Sequence, residues 1–214
     1  MIAKPTGSSA QRPPAELRRS IRRRQAARCE LCGTGLALEH QHLMEPPSRR
    51  LLCCCDACAV LFSGQSSARF RQVPKRIESW PDFHLTGLQW EMLSIPINLA
   101  FFYRSSPAQR VVALYPSPAG ATESQLPPDS WDQLVNENPR LKELEPDVEA
   151  LLVNRVGQAR EYYRVPIDEA FKLVGILHLH WRGLSGGAKV WEEIKRFCID
   201  LQGRAISSPG GSHA

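Results

Sequence analysis

The chain has 214 residues, 43% of them hydrophobic, which is enough to bury a sizeable core, and it contains no run of about 18 apolar residues that would span a membrane. Its formal charge of +5 is unevenly spread: residues 1–28 hold eight Lys/Arg and one Glu, and the remainder holds 19 Lys/Arg against 21 Asp/Glu. The basic excess is therefore an arm, and the folded body is slightly acidic.

In chain order, residues 1–14 carry Pro5, Gly7, Ser8, Ser9, Pro13 and Pro14, a composition that predicts disorder. Ala15 to Arg28 has helical potential and would be coated by Arg18, Arg19, Arg22, Arg23, Arg24 and Arg28. The twin arginines are not a Tat signal, because no apolar stretch follows them. Residues 1–27 read as a basic arm, disordered or helical. Contact with nucleic acid or an acidic partner is the alternative to a solvated charged helix.

Six of the seven cysteines fall between Cys29 and Cys58. Cys29/Cys32 and Cys55/Cys58 are two C-x2-C pairs with 22 residues between them, close to the spacing of a four-thiolate zinc site. Each pair turns two thiolates inward from one tight loop, and Gly33 suits the sharp turn after the first pair. The expected ligands are Cys29, Cys32, Cys55 and Cys58. If Leu51 to Cys55 is a strand, Cys53 shares a face with Cys55 and is a possible substitute, while Cys54 points away. His40 and His42 are auxiliary candidates or polar side chains of a solvated loop. Zinc is expected, with iron as the alternative for four thiolates. Disulfides are disfavoured by three consecutive cysteines and the lack of a signal peptide; free thiols place the chain in the cytoplasm.

Beyond this module, assigned to residues 28–66, Gly64 to Ser67 reads as a turn and Phe70 to Ile77 as a strand. Leu88 to Leu93 is one or two helical turns. Ile95 to Tyr103 and Arg110 to Tyr115 form a hairpin through Ser105, Ser106 and Pro107, and Pro116, Pro118 and Gly120 end its second strand. Asp129 or Ser130 can cap a helix through Trp131, Leu134 and Val135 that breaks at Asn138-Pro139. Val148 to Arg155 and Tyr162 to Val165 are strands. Ile167 to Trp181 places Ala170, Phe171, Val174, Leu177, His178 and Trp181 on one helical face. After Gly183 to Gly187, where Ser185 can cap, a last helix buries Val190, Trp191, Ile194, Phe197, Cys198 and Leu201. The predicted fold is α+β: a zinc-ribbon or knuckle module, then a small antiparallel sheet with helices on one face over residues 67–203, and a disordered tail at 204–214.

Few patterns point to chemistry beyond the metal. The Gly183 to Gly187 loop lacks the Lys-Ser/Thr of a phosphate-binding loop and follows a helix. Ser117 and Ser124 have no His/Asp partners, so a hydrolase is not expected. The small-residue loop at Pro116, Ser117, Pro118 and Gly120 is either a rigid turn or a binding loop at a sheet edge, and with Gly183, Gly186 and Gly187 it is the candidate partner-binding surface. A knuckle, Glu39-His40 and a closing C-x2-C pair are similar to HNH nucleases of treble-clef type. However, no Asn lies between His42 and Cys58, and Ala59 stands where a second His is needed. No catalytic residues are assigned.

Taken together, Cys29-Glu-Leu-Cys32-Gly33, His40-Gln-His42, Cys53-Cys-Cys55-Asp-Ala-Cys58 with Leu61-Phe62, Tyr115-Pro-Ser-Pro-Ala-Gly120, Asp147-Val-Glu-Ala-Leu-Leu152 and Trp181-Arg-Gly-Leu-Ser-Gly-Gly187 resemble a bacterial family without an assigned activity. Its members are encoded beside operons of high-affinity, actinobacterial-type NiFe hydrogenases. The resemblance spans about residues 28–202. It implies a non-catalytic accessory protein that binds a hydrogenase subunit or maturation factor. The chain does not match the nickel-inserting zinc proteins, which carry a His after Met1 where Ile2 stands here. A redox or metal-handling role for the spare cysteines and histidines is the second reading, and nucleic-acid binding through the arm and zinc module the third.

Overall fold

Strand β5 (Leu99–Ser105) sets the layering of the body. Leu99, Phe101 and Tyr103 enter one buried cluster, while Ala100 and Phe102 enter another, as the two-residue period of a strand requires. The computed structural model describes residues 27–63, 69–117, 120–183 and 186–207. The expected helix over Ala15 to Arg28, the turn at Gly64 to Ser67, Pro118 and the cap at Ser185 lie wholly or almost wholly outside them.

The body is a seven-stranded sheet in the order β10-β4-β9-β8-β5-β6-β7. Its other strands are β4 (Glu78–Ser79), β6 (Arg110–Ser117), β7 (Gly120–Ser124), β8 (Glu149–Asn154), β9 (Glu161–Pro166) and β10 (Ile206–Ser207). Every pairing is antiparallel except β10 with β4. Helices α4 (Ile167–His180) and α5 (Gly187–Arg204) cover one face through Leu173, Leu177, Val190, Ile194 and Leu201. Helices α2 (Gly87–Met92) and α3 (Pro128–Glu137), with the short 3-10 turn Pro139–Glu143, cover the other through Trp90, Leu134 and Leu141. Helices thus lie on both faces, not one. The consecutive apolar residues Leu151, Leu152 and Val153 follow from this, since neither face of β8 meets water.

Several local expectations change for physical reasons. Phe70 to Ile77 gives only the two-residue strand β3 (Arg71–Gln72), because Pro74 cannot donate to a ladder. Pro116 does not end β6: the strand runs to Ser117 and returns as β7, with Ser117 opposite Gly120. Helix α3 starts at Pro128 without a side-chain cap, leaving Asp129 in its first turn. On α4, Leu173 is buried and His178 exposed, and on α5 Trp191 stays 37% exposed. The tail is ordered through Ser207, because the Ile206 N–H donates to the Ile77 carbonyl at 3.0 Å.

The N-terminal module carries a second sheet, β2-β1-β3, built on the antiparallel hairpin β1 (Gln41–Glu45) and β2 (Arg50–Cys54), followed by helix α1 (Asp56–Ser63). The hairpin pairs His42 with Cys53, Leu43 with Leu52, and Met44 with Leu51. Leu43, Leu52 and Cys54 face a small core with Cys29, Cys58, Ala59 and Phe70. Met44 and Leu51 face the opposite way and pack into the body. One hairpin therefore belongs to two cores.

Candidate metal centre

The first knuckle is closed by backbone bonds: the Gly33 N–H donates to the Cys29 carbonyl at 2.8 Å, and the Cys29 N–H to the Thr34 carbonyl at 2.8 Å. Gly33 has φ +78°, a conformation L side chains rarely adopt. The second pair is set differently. Cys55 directly precedes α1 and Cys58 sits in its first turn, where unpaired backbone N–H groups and the helix dipole favour negative charge. Gln41 fixes this end of the helix by donating to the Asp56 carboxylate at 3.0 Å. The two cysteine pairs thus stand on a knuckle and a helix start, joined through the β1–β2 hairpin.

The sulfurs of Cys29, Cys32, Cys55 and Cys58 all lie within 4.8 Å of one another. A tetrahedral ion with metal–sulfur bonds of about 2.3 Å needs sulfur–sulfur edges of about 3.8 Å. The Cys32 and Cys55 sulfurs are 3.7 Å apart. The donor set therefore fits a metal ion, and Cys29, Cys32, Cys55 and Cys58 can hold one.

Electrostatics point the same way. Burial opposes charge on Cys29, but backbone N–H groups of Cys55, Cys32 and Leu31 outweigh it and bring the thiol down to about 6. Cys32 is also lowered, chiefly by hydrogen bonding to the Thr34 hydroxyl. Burial drives Cys58 upward, and its hydrogen bonds to Cys55, Cys32 and Cys29 push the same way. Four adjacent thiols cannot all ionise without a cation, so some give up their protons and others keep them. A divalent ion removes that conflict.

The remaining candidates sort themselves by register. Strand β2 ends at Cys54, so Cys55 leaves the sheet and Cys53 does not share its face. Cys53 instead lies opposite His42 and groups with the histidines, not with the four sulfurs. His40, His42 and Cys53 form a group of their own. Cys54 packs beside Leu52, its thiol held at 3.4 Å from the Gln41 carbonyl and raised to about 11 by burial. Cys198 is likewise a core residue, raised to about 12 by burial. Pro116, Ser117 and Gly120 belong to the β6–β7 hairpin, where the Thr122 hydroxyl donates to Ser117 at 2.7 Å. Gly183, Gly186 and Gly187 all have positive φ in the α4–α5 connection, and the Trp181 indole donates to the Gly183 carbonyl at 2.9 Å. The candidate partner surface is therefore split between a sheet-edge hairpin and a tight helical link.

Two residues that the spacing of cysteines does not flag shape this region. Glu30, inside the first knuckle, accepts from the Cys53 N–H at 2.7 Å and from Arg50 at 2.8 Å, and its own N–H donates to the Cys53 carbonyl at 2.9 Å. Asp168, at the start of α4, accepts from His42 Nδ1 at 2.7 Å across 126 residues of chain. Glu30 is signalled only by its place between Cys29 and Cys32, and Asp168 by nothing local.

Among the described residues, no helix is long and apolar enough to cross a membrane. The chain belongs to a family of unknown function, DUF5947, whose model matches residues 28–205. Comparison with curated proteins and with solved structures found no match.

Proposed function

We propose that this member of the family is a zinc-stabilised accessory protein, without catalysis of its own, that works by binding another protein. The observation that carries the reading is the four-sulfur cluster. Four thiolates saturate a tetrahedral ion and leave no position for a substrate, which is the arrangement of a structural centre. Zinc is preferred over iron because nothing around the cluster calls for electron transfer.

The module also presents apolar side chains to solvent. Val60 and Leu61 on α1 are 73% and 74% exposed, and Leu38 is 88% exposed. Apolar groups held out on a rigid, metal-fixed element are a natural contact surface for a protein. The partner we propose is a NiFe hydrogenase subunit or one of its maturation factors, supported by the ordered motifs from Cys29 to Gly187. The free thiols support a cytoplasmic setting.

The test is a pull-down of hydrogenase subunits and maturation proteins from the native host, using the full chain and a Val60→Asp/Leu61→Asp variant. The reading expects a specific hydrogenase protein with the wild type and its loss with the variant, at unchanged metal content. Capture of no hydrogenase-related protein contradicts the partner assignment.

A further inference from the structure

We infer that His40, His42 and Cys53 form a second metal site, distinct from the four-thiolate centre, that takes a zinc-class divalent ion on three protein ligands and keeps a fourth position open. The ligand atoms of the three residues lie within 4.8 Å of one another, and all three side chains are half-buried. His42 and Cys53 are directly opposed across the β1–β2 hairpin, and His40, just before β1, brings its ring against that of His42. The two imidazole rings meet edge to face at 4.8 Å.

The hydrogen bonds prepare both imidazoles as ligands. His40 Nδ1 lies 3.0 Å from the Ala37 carbonyl, which can only accept, so the proton sits on Nδ1 and the lone pair on Nε2. That Nε2 is buried and has no hydrogen-bond partner. A buried acceptor left unpaired is a standing cost to the fold, which a metal ion would relieve. His42 Nδ1 is held 2.7 Å from Asp168 Oδ2, which leaves Nε2 as the ring nitrogen to ligate. A ligating histidine whose other nitrogen is held by a carboxylate or carbonyl is the usual outer support of a metal site. Cys53 is held at its backbone by both the N–H and the carboxylate of Glu30, which lies between two ligands of the first centre.

Two imidazoles and one thiolate suit zinc and neighbouring divalent ions, and three protein ligands leave room for water or an incoming donor group. The ion at this site would be the exchangeable one. Asp168 belongs to α4, so occupancy would also brace the module against the body.

The test is titration of full-length protein with cobalt(II) and, separately, zinc, after the tight site has been filled with zinc. The expected result is a second equivalent per chain with a visible tetrahedral cobalt spectrum containing a thiolate-to-metal band. Cys53→Ser should bind no second ion, and His42→Ala should do the same, each retaining its first zinc. Asp168→Asn, as a positioning change, should weaken the second ion about 10–100-fold while leaving the first in place. Saturation of the wild type at one ion overturns the proposal, as does a second ion that persists in Cys53→Ser. Cys32→Ser tests the first centre separately: a variant that keeps both ions contradicts the four-thiolate reading and leaves this proposal standing, so the two failures are distinguishable.

Discussion

Cys32 is the exposed member of the sulfur cluster, yet its sulfur lies 3.7 Å from that of Cys55 and bridges the two halves of the centre. Cys32→Ser should lose the tightly held metal and unfold the N-terminal module, since structural zinc supplies about 10–16 kcal/mol of apparent binding free energy in small modules. The check is metal analysis beside hydrogen exchange, with protection lost in β1 and β2 and kept in β8. Acidity should act on the same centre. Cys58 has a raised thiol, so it carries a proton in the metal-free protein and must release it on binding. Protons therefore compete with the metal, and affinity rises with pH over the whole range in which Cys58 would otherwise keep its proton. Competition with a chromophoric chelator across pH measures this; affinity that is flat or falls with rising pH contradicts thiolate ligation. The cluster of Cys29, Cys32, Cys55 and Cys58 was legible because each C-x2-C pair is a local device. The separate position of Cys53 was not, since it depends on β2 ending one residue before Cys55.

Among the elements, the α4–α5 connection shows how tightly backbone conformation is used. Gly186 has φ +86°, and a Cβ there would lie 2.7 Å from Val190 Cγ1, a fully buried side chain of α5. Gly186→Ala should destabilise the body by about 1–3 kcal/mol in urea denaturation, through strain and displacement of Val190. Gly175 in α4 is the control: its added Cβ meets nothing within 4 Å. Gly175→Ala should stabilise by about 0.4–1 kcal/mol. Equal effects at the two positions would refute this account of the link. Strand and helix positions were largely readable, β8 from its unbroken apolar run and α5 from apolar residues at helical spacing. The second helical layer was not: α2 has six residues, and only its packing through Trp90 reveals that it covers a face of the sheet.

The whole molecule is joined where the hairpin contributes Met44 and Leu51 to the body's core while Leu43 and Leu52 complete the module's. Arg71 beside Asp147 and His42 beside Asp168 add polar ties between the same two parts. Such long-range pairs have no local signature, so the sequence does not reveal how the cysteine module and the sheet meet. The basic arm is a separate matter. Deleting residues 1–26 should abolish any nucleic-acid affinity, which in the full chain should fall steeply with salt, and should leave protein-partner binding intact. Filter binding across a salt series, with the pull-down in parallel, measures both; a truncated chain that still binds a defined nucleic acid at physiological salt would overturn the protein-binding account.

The central claim is the four-thiolate centre, and metal content tests it most directly. Elemental analysis of full-length protein purified without chelator should find at least one zinc per chain, and Cys32→Ser should lose that tightly held ion. A wild-type protein with no stoichiometric metal, or a Cys32→Ser variant that keeps its zinc, would contradict it.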